Sequence, residues 1–140
     1  MFTNRKCQMF TNDKLNEGLR PADLESRIAE FAARAIGVCE AMPKRIGSSH
    51  LQDQLFRSAT SVAANYAEAC VPESRKDFAH KTNVALKELV ETRMWLRIIS
   101  FKKYIKPELL VSLLSEVEEL IKILHTSVKT ARRNMAREDL

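Results

Sequence analysis

Five polar side chains between positions 54 and 68 have the types and the spacing best suited to chemistry in this chain. They recur at steps of three and four residues, and at 100° per residue this aligns them along one side of a helix. A basic, an amide and an acidic group in one stripe could line a pocket for a ligand, with Arg57, Asn65 and Glu68 as its contacts. The polar stripe consists of Gln54, Arg57, Ser61, Asn65 and Glu68.

The same polar stripe has a structural interpretation. Arg57 would pair with Glu88 or Glu91 on an adjoining helix, while Ser61 and Asn65 would satisfy buried backbone or side-chain groups. A half-buried Arg or Glu is costly unless an opposite charge pairs with it. The carboxylates available on the next helix therefore favour a structural network, made of the polar stripe together with Glu88 and Glu91.

Motifs for catalysis and metal binding are missing from the sequence. A di-iron bundle needs Glu-x-x-His pairs, and His50, His80 and His125 stand in different elements without one. The sequence has no Gly-rich phosphate loop, no His-Glu-x-x-His motif and no nucleophile beside a His base. We therefore expect no enzymatic activity, no metal and no cofactor.

Basic residues give the clearest indication of a partner. Segment 75–106 holds nine Lys and Arg against Asp77, Glu88 and Glu91, and a second basic cluster lies near the C-terminus. Such surfaces can bind phosphates, but the helix macrodipole also favours cations at helix C-termini, so both readings stay open. Without an aromatic platform or a groove-reading motif, no base specificity is expected. The candidate nucleic-acid-binding residues are Lys76, Lys87, Arg97, Lys102, Lys103, Lys106, Lys129, Arg132 and Arg133.

Apolar residues follow a helical period through four segments, and the links between them are short. Four amphipathic helices with short links bury their apolar stripes on one another, with sequential neighbours antiparallel. We predict an all-α protein: an antiparallel up-down-up-down four-helix bundle over 21–134, with a mobile N-terminal arm at 1–20 and a polar C-terminal tail at 135–140. The segment boundaries are Pro21 and Pro43 for the first helix, Gly47 and Cys70 for the second, Ser74 for the third and Lys106-Pro107 for the fourth.

Two of these helices carry more apolar surface than a narrow core stripe requires. Val84 and Trp95 widen the apolar face of the third helix, and Leu109, Leu114 and Ile121 widen the apolar face of the fourth. A broad apolar face indicates either a wide core stripe or a subunit interface, and the residues alone do not separate the two.

Composition limits the compartment and the domain count. The chain has 140 residues, a net charge of +5 and three cysteines without C-x-x-C spacing, which favours one domain with reduced thiols. It has neither a signal-peptide pattern nor an apolar stretch long enough to span a bilayer. We expect a cytoplasmic protein without membrane contact, with Met9 as an alternative start because Met-Phe-Thr-Asn occurs twice.

The polar stripe, Glu73-Ser-Arg-Lys-Asp-Phe78 and Ala85-Leu-Lys-Glu-Leu-Val-Glu-Thr92 agree in order with motifs of one family. Over about 24–132 the chain resembles the four-helix-bundle proteins of intervening sequences in bacterial 23S rRNA genes, although Ala69 stands where that family often has Gly. The resemblance implies a ring-like homopentamer and kinship with the accessory determinant of diversity-generating retroelements, which binds a reverse transcriptase and nucleic acid.

From the residues and the resemblance together we expect a non-enzymatic homo-oligomer that binds RNA or DNA through its basic surfaces. Such a protein would be an accessory to a reverse transcriptase or to another RNA-associated process. The alternative is a protein–protein assembly module with no nucleic-acid role, in which the basic charge only keeps the protein in solution.

Overall fold

A computed structural model describes residues 21–140, with the backbone alone at 21 and 22, and contains four helices over that range. The N-terminal arm at 1–20 and the alternative start at Met9 lie outside the described residues. The helices are α1 (Pro21–Ala41), α2 (Ser48–Ala69), α3 (Arg75–Phe101) and α4 (Pro107–Glu138). Because α4 continues to Glu138, most of the predicted C-terminal tail is helical.

Local sequence signals set the helix starts. At α3 the Ser74 hydroxyl accepts a hydrogen bond from the Asp77 backbone N–H at 3.0 Å, and the Asp77 carboxylate accepts one from the Glu73 N–H at 3.1 Å. This reciprocal arrangement satisfies the Asp77 N–H, which the first turn leaves without a partner, and the N–H of Glu73, which precedes the N-cap. At α4, Pro107 occupies the first turn, where its missing N–H costs nothing.

The predicted apolar rhythm forms the core. Along the first helical segment the residues at helical spacing are buried except Val38, which is half-buried: Leu24, Ile28, Phe31, Ala35 and, just after α1, Met42. On α3 and α4 all residues at this spacing are buried, namely Phe78, Thr82, Ala85, Leu89, Thr92, Leu96 and Ile99, and Leu110, Leu113, Val117, Leu120, Leu124, Val128 and Ala131. On α2 the small residues Ser58 and Ala59 are fully buried, which lets the neighbouring backbones approach closely. The largest fully buried side chains are Phe31, Phe78, Ile28, Leu55, Leu89, Leu96, Ile99, Leu110, Leu120 and Leu124.

Sequential helices pack against each other in the order α1, α2, α3, α4, as in an up-down bundle. The bundle closes where α1 meets α4, a shorter contact than the other three. There Arg27 donates to both carboxylate oxygens of Glu116, at 2.5 and 3.1 Å, and Arg34 donates to the Ser112 hydroxyl at 2.9 Å. Polar side chains thus join the first helix to the last, and the predicted four-helix bundle is confirmed.

The turn after α2 needs no glycine. Helix α2 ends at Ala69, which is fully buried, and Cys70 caps it with right-handed backbone angles. In the described part of the chain only Gly47 and Lys103 have positive φ, so the reversal between α2 and α3 uses ordinary conformations. None of the four helices is long and apolar enough to cross a membrane.

Candidate functional site

Arg57 joins α2 to α3 as the sequence suggested. Its guanidinium donates to Glu88 Oε2 at 3.1 Å, to Glu91 Oε1 and to Gln54 Oε1 at 3.3 Å. The indole of Trp95 donates to the same Glu91 oxygen at 3.2 Å. Glu88 and Glu91 of α3 are therefore both engaged by one arginine of α2.

These ion pairs lie near the surface, with the two glutamates half-buried at 21% and 36% side-chain exposure. The Arg57 side chain is 47% exposed, and exposed pairs contribute about 0–1 kcal/mol. The hydrogen bond from Arg57 lowers the pKa of the Glu91 carboxyl, with a smaller opposing effect from partial burial. The pKa of Arg57 is raised, chiefly by its hydrogen bond to Glu91. The cluster therefore fixes how α2 meets α3 more than it stabilises the fold.

The rest of the polar stripe does not join this cluster. Asn65 donates to the Ser61 carbonyl at 2.9 Å and to the Ser61 hydroxyl at 3.1 Å, one turn back on its own helix. Glu68 accepts from Lys81 at 2.5 Å, which raises the pKa of that lysine. Arg57 and Glu68 lie about 16 Å apart along the helix axis at 1.5 Å per residue. The stripe is thus three separate groups, and Arg57, Asn65 and Glu68 do not converge on one ligand.

Sequence reasoning missed a buried polar contact between α2 and α3. The hydroxyls of Ser58 and Thr92 lie 2.8 Å apart in the core, and Thr92 Oγ1 is also 2.8 Å from the Glu88 carbonyl. Thr82 is equally buried, but its hydroxyl has no hydrogen-bond partner among the described residues. Two threonines at core-facing positions of α3 were visible in the sequence, whereas Ser58 had no distinguishing signal.

All nine candidate nucleic-acid-binding residues are exposed, from Lys76 in α3 to Arg133 in α4. Within residues 23–140 none of these nine side chains forms an ion pair. Other cations of the chain are neutralised locally: Arg75 pairs with Glu138, and Arg93 lies 3.1 Å from Glu118. The fold therefore separates cations held by carboxylates from cations that face solvent.

Two loops meet at one end of the bundle, which we call the basic end and define as residues 42–50 and 97–112. The Tyr104 hydroxyl donates to the Ile46 carbonyl at 2.7 Å, and the Arg45 guanidinium lies 5.5 Å from the centre of the Tyr104 ring. Arg45 also donates to the Lys103 carbonyl at 3.5 Å. These contacts bring Lys44 and Arg45, which sequence reasoning missed, beside Lys102, Lys103 and Lys106.

The macrodipole accounts for only part of the charge of the basic end, because it favours Lys102 at the C-cap of α3 but not Lys106. Lys106 is the N-cap of α4, where the positive end of the helix dipole disfavours a cation. Lys103 follows the end of α3 with φ +54°, a left-handed conformation that favours glycine. The residues of the basic end comprise six Lys and Arg and one carboxylate, Glu108. Two of its lysines therefore occupy positions that oppose local stability.

Metal binding has no support in the described residues. Across residues 23–140 no group of three or more His, Cys, Asp and Glu side chains is placed to hold a metal ion. His80 and His125 are exposed on different helices, and the His50 ring packs edge-on against Trp95 at 6.1 Å. Cys39 and Cys70 are buried thiols that form no disulfide, and burial raises the pKa of Cys39.

The fold and these surfaces define a small antiparallel helical bundle with polar inter-helix contacts and an exposed cationic end. The sequence profile of the 23S rRNA-intervening sequence protein family matches residues 23–126, and the chain belongs to that family. A protein of unknown function from the S23 ribosomal protein family of Bacteroides thetaiotaomicron VPI-5482 has a similar crystal structure. It is 32% identical, with a TM-score of 0.67, over 76% of this chain and 98% of that one. No protein of curated function matches this chain.

Proposed function

We propose that this protein is a non-enzymatic homopentamer that binds RNA or DNA through its exposed basic residues. The observation that carries the proposal is the set of nine solvent-facing cations, none of which is paired with a carboxylate among the described residues. A surface whose cations were needed only for folding would hold them in ion pairs, as Arg27, Arg57 and Arg93 are held.

Binding follows from the release of counterions. Each phosphate that a Lys or Arg neutralises frees condensed cations from the nucleic acid, so affinity grows with the number of contacts and falls with salt. Five copies of the basic end in one assembly would multiply these contacts. Phosphate contacts carry no sequence information, so the protein would bind strands of mixed sequence alike. Within this proposal the protein partner is a reverse transcriptase or another RNA-handling protein.

The alternative function is a protein–protein assembly module with no role in nucleic-acid binding. Exposed apolar side chains on α2 and α3, namely Phe56, Val90 and Met94, favour this alternative. They lie away from the core stripe and would be covered by another protein surface.

Titration of affinity against salt separates the two functions. For the intact protein, a plot of log affinity against log salt for mixed-sequence RNA or DNA is expected to slope by about −0.7 to −0.9 per contacted phosphate. Two variants should weaken binding and flatten that slope. One replaces Lys102, Lys103 and Lys106 together with Ala, and the other replaces Arg132 and Arg133 together with Ala. Exposed charges contribute little to folding, so the oligomer should persist.

Lys122→Ala is the matched control, because Lys122 is an exposed lysine of α4 outside both basic clusters. It should leave the slope almost unchanged. If the intact protein retains neither RNA nor DNA in a salt-sensitive manner near physiological ionic strength, the nucleic-acid proposal is wrong and the assembly module replaces it.

A further inference from the structure

The basic end carries an aromatic ring that the fold leaves uncovered. Phe101, the last residue of α3, is 77% exposed, and Lys102 and Lys103 follow it directly. The Arg97 guanidinium lies 6.0 Å from the centre of the Phe101 ring, one turn back on the same helix. An exposed phenyl ring lowers solubility, and no helix of the bundle covers this one.

Resting on the proposed function, we propose that the basic end binds single-stranded nucleic acid by stacking an unpaired base on Phe101. Proteins that bind single strands combine a cationic surface for the backbone with aromatic rings on which bases stack. Here Arg97 would flank the stacked base as a cation–π partner. Lys102, Lys103 and Lys106 would hold the neighbouring phosphates.

Tyr104, the second aromatic residue of the basic end, has a structural role. Tyr104 is half-buried, its hydroxyl is bonded to the Ile46 carbonyl, and Arg45 lies over its ring. It fixes the 43–47 loop against the 102–106 loop and so brings the cations of both loops to one surface. Phe101 makes no such connection between loops, and the ring face opposite Arg97 is the one that would take a ligand.

Single strands are favoured over duplexes because the faces of paired bases are already stacked on one another. Inside a duplex no base face is free to stack on a phenyl ring, whereas each nucleotide of a single strand can present one. The lysines contact phosphates in either form. Selectivity for single strands would therefore come from Phe101, and affinity for both forms from the cations.

A membrane surface fits the basic end less well. Insertion into lipid requires apolar side chains gathered on one side, with cations around them. The basic end exposes four apolar side chains, those of Ile46, Phe101, Leu109 and Val111. Leu109 and Val111 are two residues apart on α4 and point about 200° from each other, so the four do not share one side. The guanidinium of Arg97 also lies over the Phe101 ring that would have to insert.

The test compares Phe101→Ala with Val71→Ala, a control because Val71 is an exposed apolar residue, 67% exposed, in the turn between α2 and α3 and outside the basic end. Anisotropy of a labelled single strand, and of the same strand annealed to its complement, gives the two affinities. We expect Phe101→Ala to weaken single-strand binding about five-fold or more. Duplex affinity and both salt slopes should not change, Val71→Ala should change nothing, and Phe101→Trp should restore single-strand binding.

The outcomes separate this inference from the proposed function. If Phe101→Ala behaves as Val71→Ala while the protein still binds both nucleic acids, stacking is wrong and the proposed function stands. If the intact protein binds neither form, both are wrong. Two further results for Phe101→Ala would overturn the stacking role. The first is a reduced oligomer mass in light scattering. The second is that the variant no longer sediments with phosphatidylserine vesicles, as the intact protein would, but still binds single strands normally.

Discussion

At the residue scale, two threonines on the core-facing side of α3 show how much a hydroxyl depends on its neighbours. Both are fully buried. Thr92 Oγ1 lies 2.8 Å from the Ser58 hydroxyl and 2.8 Å from the Glu88 carbonyl, whereas Thr82 Oγ1 has no partner among the residues described. Burial without a hydrogen bond costs about 1–3 kcal/mol, so the same residue type stabilises one position and destabilises the other.

This contrast gives the first prediction. Thr82→Val keeps the shape of the side chain and removes an unsatisfied hydroxyl, so it should raise the free energy of unfolding by about 1 kcal/mol. Thr92→Val removes a satisfied hydroxyl and leaves Ser58 with fewer partners, so it should lower that free energy by about 1 kcal/mol. Urea denaturation of both variants measures the two values, and equal effects of one sign would contradict the assignment.

The second prediction concerns pH and the Arg57–Glu91 pair. Because the folded-state pKa of Glu91 lies below its ordinary value of 4.5, the pair stabilises the fold above that value and loses its effect as pH falls through the folded pKa. Glu91→Gln should therefore destabilise the protein at pH 7 by less than about 1 kcal/mol, since the pair is exposed.

Urea midpoints at pH 7 and pH 3 measure this effect. The difference between the wild type and Glu91→Gln should shrink at the lower pH. A larger loss at pH 3 than at pH 7 would show that Glu91 does not act as a carboxylate paired with Arg57.

At the scale of elements, the end of α3 is a Schellman motif with lysine in the position that usually holds glycine. The Tyr104 N–H donates to the Ile99 carbonyl and the Lys103 N–H to the Ser100 carbonyl, at 3.1 and 3.0 Å. A side chain in the left-handed region costs about 1–2 kcal/mol. Lysine at this position therefore lowers stability while adding charge to the basic end.

The third prediction is that Lys103→Gly has opposite effects on stability and binding. Relief of the left-handed strain exceeds the extra chain entropy of glycine, about 0.5–1 kcal/mol, so the free energy of unfolding should rise by about 0.5–1 kcal/mol. Affinity for nucleic acid should fall because one phosphate contact is lost.

Lys102→Gly is the control, because Lys102 has right-handed angles with φ −79° and gains nothing from glycine. It should lower both stability and affinity. Thermal unfolding and anisotropy provide the two readouts, and a stability loss for Lys103→Gly would exclude strain at this position.

At the scale of the whole molecule, part of the apolar surface attributed to an interface is used within the protomer. Trp95, Leu114 and Ile121 pack against the core and are half-buried, whereas Leu109 is exposed. Phe56 and Met94, which the periodicity did not single out, are exposed as well. The surface available for assembly is thus different from the one that the sequence indicated.

The fourth prediction is that these exposed apolar residues are covered by other copies of the chain. Light scattering at micromolar concentration should give five times the 16.0 kDa protomer mass. Met94→Glu would place a charge in the interface and should reduce that mass, while Lys122→Ala should not. A monomer mass for the wild type would contradict the assembly.

The sequence by itself determined the four helices and their buried sides. Leu96 and Leu120 fall into a period of 3.6 residues, and caps such as Ser74 act within one turn, so both signals are local in the chain. The sequence also indicated the partners of Arg57, because the apolar stripe of α3 determines that Glu88 and Glu91 lie beside that stripe, at the edge facing α2. Only the tertiary structure decided how far these side chains are exposed and that Glu68 accepts a hydrogen bond from Lys81 instead. It also decided that the 43–47 loop adds Lys44 and Arg45 to the basic end. Those outcomes depend on the distance between segments far apart in the chain, which periodicity does not encode.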